Sequence, residues 1–131
     1  MNGKKNTIAM IKDDRNGRYV LQYEVEGVIR RLPLERRGVS KAGREWTMGQ
    51  VLLEVSEEGV DGSAQLHLIT WSEEMVEMLN RIGVGKRVKS TFHVECKEYF
   101  DNYKTSLILD GIEMLSDGEN YLIGKKKGEN K

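Results

Sequence analysis

Apolar side chains in this chain recur mostly at every second position, the period of a strand with one buried face. Tyr19, Leu21, Tyr23 and Val25 alternate with polar partners. They follow a turn-rich run, Asp13-Asp14-Arg15-Asn16-Gly17, whose closing Asn-Gly pair favours a tight hairpin. With Ile8 and Met10 on the far side of that turn, this stretch reads as an accessory hairpin or arm. Gly27 interrupts the alternation, which resumes from Val28 to Leu34. A glycine inside a strand marks a bulge or bend, as where a sheet curls into a barrel. Pro33, the only proline, stands near the end of this strand.

Further along, Thr47, Gly49, Val51, Leu53 and Val55 share one face, with Trp46, Met48, Gln50, Leu52 and Glu54 on the other. Ala64, Leu66, Leu68 and Thr70 are likewise opposed to Gln65, His67, Ile69 and Trp71. The clearest strand is Gly85 to Glu98, with Val88, Phe92, Val94 and Cys96 on one side. Lys89, Thr91, His93, Glu95, Lys97 and Tyr99 lie on its other side. A short tip, Phe100-Asp101-Asn102, returns the chain into a last strand from Tyr103 to Met114. Only one segment has a helical period, with Met75, Met78, Leu79 and Ile82 at i, i+3, i+4 and i+7. Ser72 can cap it, Glu73 and Glu74 suit its positive first turn, and Gly83 can end it.

The expected order is strand, basic loop, two strands, one short helix, then a two-strand hairpin. That is the order of an all-β OB fold, a five-stranded barrel with its helix between strands three and four. An N-terminal extension or hairpin over residues 1–24 precedes the OB domain at 25–115, and a flexible basic tail follows at 116–131, with Lys125 to Lys127 near its end. In OB folds the loops 1–2 and 4–5 flank the ligand face. Here the first is basic and the second is aromatic.

Composition narrows the class. At 131 residues, with 38% hydrophobic and 32% charged side chains, the chain fits one globular domain with a heavily solvated surface. No apolar run approaches the roughly 18 residues of a membrane span, and no signal-peptide stretch opens the chain. Cys96 is the only cysteine, so an intrachain disulfide is impossible and a cytoplasmic location is expected. The 21 basic and 21 acidic side chains cancel, which counts against binding by bulk charge. They are unevenly spread, however: Arg36, Arg37, Lys41 and Arg44 cluster without an acid, so one positive face remains compatible with a neutral total.

Gly38-Val39-Ser40-Lys41-Ala42-Gly43-Arg44-Glu45-Trp46 and Gln50-Val51-Leu52-Leu53-Glu54 are followed by Trp71, Val84-Gly85-Lys86-Arg87-Val88 and Glu98-Tyr99-Phe100-Asp101-Asn102-Tyr103. In these motifs the chain resembles a small bacterial domain family of unknown function, common in Bacteroidetes and regarded as single-strand-binding-like. The likeness spans roughly residues 25–115 and implies an OB fold that binds single-stranded DNA. The N-terminal extension and the basic tail depart from the pattern. Nothing here resembles the acidic tip with which bacterial single-strand-binding proteins recruit partners.

Single-strand binders need cations for phosphates and aromatic faces for stacking. The candidate nucleic-acid-binding residues are therefore Arg36, Arg37, Lys41, Arg44, Trp46, Trp71, Lys97, Tyr99, Phe100, Tyr103 and Lys104. Each has a plainer reading beside it. Trp46 can cover a barrel end or a subunit contact, and Trp71 can pack on the helix it precedes. Tyr99 and Tyr103 can form a cross-strand pair, and the four bases can line an ordinary solvated loop. Catalytic and metal readings find little support. His93 and Cys96, three apart on a strand, lie on opposite faces and cannot share a metal. Gly83-Val84-Gly85-Lys86 lacks the glycine at Asn80 and the Ser or Thr at Arg87 that a phosphate loop needs.

The expectation is a non-enzymatic, sequence-non-specific single-stranded DNA-binding protein of replication, repair or transfer, with no cofactor, metal, membrane or small-molecule substrate. RNA is a further candidate ligand, and a homo-oligomer is expected. The alternative is an OB-fold interaction module in which the same aromatics meet protein.

Overall fold

The computed structural model describes residues 7–12 and 17–115; Asp13 to Asn16 of the expected hairpin tip and the whole of the expected tail lie outside the described residues. The elements are β1 (Thr7–Lys12), β2 (Tyr19–Arg31), β3 (Arg36–Val39), β4 (Glu45–Ser56), β5 (Ser63–Thr70), α1 (Glu73–Ile82), β6 (Arg87–Tyr99) and β7 (Asn102–Met114). They form one seven-stranded sheet in the order β1-β2-β6-β7-β5-β4-β3, in which β2 also pairs with β4. The chain is thus mostly β with a single described helix, but seven strands replace the expected five. The β2–β4 ladder makes a circuit of β2, β6, β7, β5 and β4, whose β5–β7 link is parallel and rests on one registered pair, Ile69 with Ile108.

The two added strands have separate origins. The expected arm supplies β1, antiparallel to the first half of β2 from Thr7↔Glu24 to Lys12↔Tyr19. The stretch expected as a basic loop supplies β3, from Arg36↔Met48 to Val39↔Glu45. Its tight turn is closed by Ser40 N–H to the Arg44 carbonyl at 2.8 Å and Gly43 N–H to the Ser40 carbonyl at 2.9 Å. Four residues with only one large apolar member carry too little alternation to be read as a strand.

Gly27 is where β2 changes neighbours. One edge of β2 is held by β1 up to Glu24 and by β4 from Val28, while β6 occupies the other edge from Gln22 to Val28. A Cβ at Gly27 would lie 2.7 Å from the Glu54 carbonyl oxygen, so this crossing of backbones requires glycine.

Inside the curl, Ile29, Val51, Leu53, Leu68 and Val88 are wholly buried, each contributing about 1.5–3 kcal/mol by transfer from water. Val25, Phe92 and Leu109 complete this layer, and Tyr23 stacks on Phe92 with ring centroids 5.3 Å apart. Helix α1 begins as the sequence indicates, with Met75 N–H donating to Ser72 Oγ at 3.2 Å, and ends at Gly83 with φ 89°. Its buried residues are Val76 and Leu79, while Met78, expected inside, is exposed. The reason is Gly49 on β4: a Cβ there would meet Val76 Cγ2 at 2.5 Å, so the missing side chain admits Val76.

On β6 the expected faces hold at Val88 and Phe92 and fail further on: Val94 is half-buried and Cys96 exposed, whereas His93 on the other face is buried. Pairing with β2 stops at Gln22↔His93, so from Val94 onward β6 is backed only by β7 and runs out as a two-stranded ribbon. Among the described residues no helix is long and apolar enough to cross a membrane.

Candidate nucleic-acid interface

Strand register places the candidate residues on faces. One transverse row runs Gln22, His93, Ile108, Ile69 and Gln50 across β2, β6, β7, β5 and β4. These side chains lie on the sheet face opposite Phe92, Leu68 and Val51 of the core. The same outer face continues along β4 to Met48 and Trp46, which pair with Arg36 and Gly38 of β3.

Trp46 lies flat against β3. A Cβ at Gly38 would fall 2.3 Å from its Cζ2 atom, so the indole occupies the space a side chain would fill. Trp71, at the end of β5, meets Trp46 edge-on, with centroids 5.9 Å apart and planes at 74°. Both rings keep a solvent-open surface, 38% for Trp46 and 54% for Trp71. Trp71, expected to face ligand or to pack on the helix it precedes, forms this aromatic pair and lines a cleft with Met75 of α1.

The four bases separate. Arg36 shares the tryptophan face and makes no ion pair among the described residues. Arg37, one residue on, faces the other side. Its Nη1 donates to Thr47 Oγ1 at 3.0 Å and to Glu73 Oε2 at 3.2 Å, and Thr47 Oγ1 donates to the same carboxylate at 3.0 Å. Arg37 therefore ties the β3–β4 hairpin to the start of α1. Lys41 and Arg44 are exposed at the turn, without an ion pair among the described residues. Glu54, at the far end of β4, is held below the usual carboxylate range by a hydrogen bond from Ser63 (2.5 Å) and then by Arg30.

The aromatic hairpin is a separate group. Its register is Tyr99↔Asn102, Glu98↔Tyr103 and Lys97↔Lys104. Tyr99 and Tyr103 consequently face opposite sides of the ribbon and do not form a cross-strand pair. Lys97 and Lys104 stand directly opposite, an unfavourable like-charge pair, on the same face as Tyr99. The tip residues Phe100 and Asp101 have φ 45° and 69°, where two-residue turns ordinarily place Asn-Gly, and Phe100 is 97% exposed. From the Ile69↔Ile108 pair, Trp71 lies two residues one way and Tyr103 five the other, about 23 Å apart along the strands. The structure does not bring the two aromatic groups together.

Four polar residues near the tryptophans were not among the sequence candidates: Lys12, Gln22, His93 and Asp110. They border an outer cleft of about 570 Å³ between the β1–β2 arm and Trp71. The Leu109-Asp110-Gly111 run, an acid beside glycine inside an apolar strand, is the signal that marks a bulge there.

No family model matches the chain, and no curated protein matches it either. Among solved structures, the mitochondrial single-stranded DNA binding protein Rim1 of S. cerevisiae aligns with a TM-score of 0.53 at 12% identity, covering 72% of this chain and 94% of that one. A second crystal form of Rim1 aligns at 0.52 and 12% identity, covering 72% and 92%. At such identity the likeness is one of fold: the described chain has the OB-type fold of single-strand-binding domains.

Proposed function

We propose that this chain is a non-enzymatic protein that binds single-stranded DNA with little sequence preference, in replication, repair or strand transfer within the cytoplasm. The observation that carries this reading is the open Trp46–Trp71 pair, laid against glycine backbone beside Arg36, which makes no ion pair among the described residues. Base–aromatic stacking contributes about 1–3 kcal/mol per base and tolerates any base, because every base has a π face. Arg36, Lys41 and Arg44 supply phosphate contacts at one end of the face; Lys97, Lys104 and Tyr99 on one side of the ribbon, with Phe100 at its tip, supply a second set, and Tyr103 stands on the ribbon's other side. The spacing of the two groups suits a strand of several nucleotides, within the roughly 4–16 that one OB fold engages. Arg37 serves mainly to hold the β3–β4 hairpin, since its charge is already shared with Glu73.

A second surface supports self-association through protein contact. On the β1–β2 arm Ile8, Met10, Tyr19 and Leu21 are exposed, with Met10 registered opposite Leu21. Joining copies there gives a longer binding site and avidity.

The test is fluorescence anisotropy of a labelled 30-mer of oligo-dT at low and moderate salt. Saturable binding weakened by salt is expected, with Arg36→Glu reducing affinity and the salt slope more than Arg37→Glu does. No binding at tens of micromolar protein in low salt sinks the reading and leaves the aromatics to a protein interface.

A further inference from the structure

The cleft between the arm and Trp71 contains a feature that phosphate binding does not explain, a positioned carboxylate. We infer that this cleft takes one base of the bound strand and reads its Watson–Crick edge through Asp110, favouring guanine and disfavouring thymine. The inference rests on the single-strand reading above and adds a base preference to it.

Asp110 is the extra residue of a β-bulge. Opposite Thr91 and Phe92 the β7 partners are Gly111 and Leu109, so Asp110 has no registered partner on β6 and its side chain is re-aimed. Two donors hold it. His93 Nδ1 lies 2.9 Å from each carboxylate oxygen, and Gln22 Nε2 donates to Oδ2 at 3.3 Å. An ionised carboxylate only accepts, so Nδ1 carries the proton and Asp110 is the acceptor. His93 is itself buried, with a side-chain exposure of 7%; its Nε2 makes no hydrogen bond among the described residues and lies 3.8 Å from a Glu95 carboxylate oxygen. Asp110 keeps 31% of its side chain open, on a cleft whose walls include Ile11, Val20, Met75 and Trp71, with Lys12 at its border. The cleft volume falls within the roughly 300–1,000 Å³ of small-ligand sites.

A carboxylate repels phosphate, so on a nucleic-acid surface its chemistry is to accept from base N–H groups. Single strands offer those edges to protein while their faces stack on aromatic side chains, here Trp71. Guanine presents two adjacent donors, N1–H and the 2-amino group, which match the two oxygens of one carboxylate. Cytosine and adenine each offer one amino group beside an acceptor. Thymine offers one N–H between two carbonyl oxygens, both of which would face the carboxylate. Lys12 provides a cation for the phosphate of the same nucleotide.

The experiment compares three strands in titration with the full chain: a 15-mer of dT, the same strand with one central deoxyguanosine, and the same with central deoxyinosine, which lacks the 2-amino group. The guanine strand is expected to bind about tenfold more tightly than all-thymine, with inosine between them. Asp110→Asn is expected to erase the guanine preference, with affinity for the all-thymine strand rising rather than falling, because the charge that opposes the thymine carbonyls is gone. Equal affinity of the unaltered protein for all three strands overturns the inference and leaves single-strand binding standing; that comparison requires no variant to fold. A guanine preference that survives in Asp110→Asn also overturns it. If none of the strands binds, the single-strand reading falls and takes this one with it.

Discussion

The two aromatic groups of this molecule are built in opposite ways. Trp46 and Trp71 are braced: one ring lies on the Gly38 backbone, the other meets it edge-on, and Arg37 bonds the hairpin beneath them to Glu73. Tyr99, Phe100 and Tyr103 sit on a ribbon backed only by its own two strands, with Phe100 almost wholly exposed on a left-handed backbone. A braced ring loses little freedom when a base stacks on it, whereas a ring on a free-standing ribbon loses more. On the proposed single-strand reading, the tryptophan face is expected to supply most of the affinity and the ribbon to add reach.

The largest expected effect follows from that. Trp46→Ala weakens oligo-dT binding about 10- to 100-fold, matching the stacking energy of a base, while Phe100→Ala weakens it less than about fivefold. Equal losses would erase the distinction between the two regions. A smaller effect is expected when the brace alone is altered. In Gly38→Ala the new methyl falls 2.3 Å from Trp46 Cζ2 and the ring must shift. Affinity should drop several-fold, with a changed near-ultraviolet dichroism of the coupled indoles reporting the displacement.

The ribbon responds in stability rather than affinity. Replacing Phe100 by Gly relieves a left-handed conformation, and urea unfolding should show a gain of about 1 kcal/mol. A loss would mean that Phe100 makes a stabilising contact after all. The smallest effect concerns neither aromatic group and serves as a control on the outer face. Glu54 titrates below the usual carboxylate range because Ser63 and then Arg30 favour its ionised form. Its contribution to stability is present above the unfolded-state pKa and is lost as pH falls through the lower folded-state value. By NMR titration, Ser63→Ala should raise the Glu54 pKa more than Arg30→Ala does, with oligo-dT affinity unchanged.

The sequence carried the parts of the fold that depend on repeated local pattern. Alternation from Thr47 to Val55 marked the buried face of β4, and Ser72 and Gly83 marked both ends of α1. What it lacked were features set by a neighbour. Four residues around Arg36 become a strand only because Glu45 to Met48 return beside them, and Val76 is buried only because Gly49 leaves room. Cys96 reads as core until β6 is seen to outrun its β2 partner. For the candidate site, residue type alone singled out Trp46, Trp71 and the bases as candidates. The division of Arg36 from Arg37 needed the register, and Asp110 with His93 needed a bulge that brings together residues 17 apart.

The chain has two tryptophans, and both lie on the braced face, so intrinsic fluorescence reports that face alone. Titrating the protein with unlabelled oligo-dT while exciting tryptophan tests stacking most directly. Saturable quenching that weakens with salt is expected, falling by a large fraction in Trp71→Phe, which removes one of the two emitters. Binding detected by a label on the DNA but with tryptophan emission unchanged to saturation would contradict it and would place the strand elsewhere on the molecule.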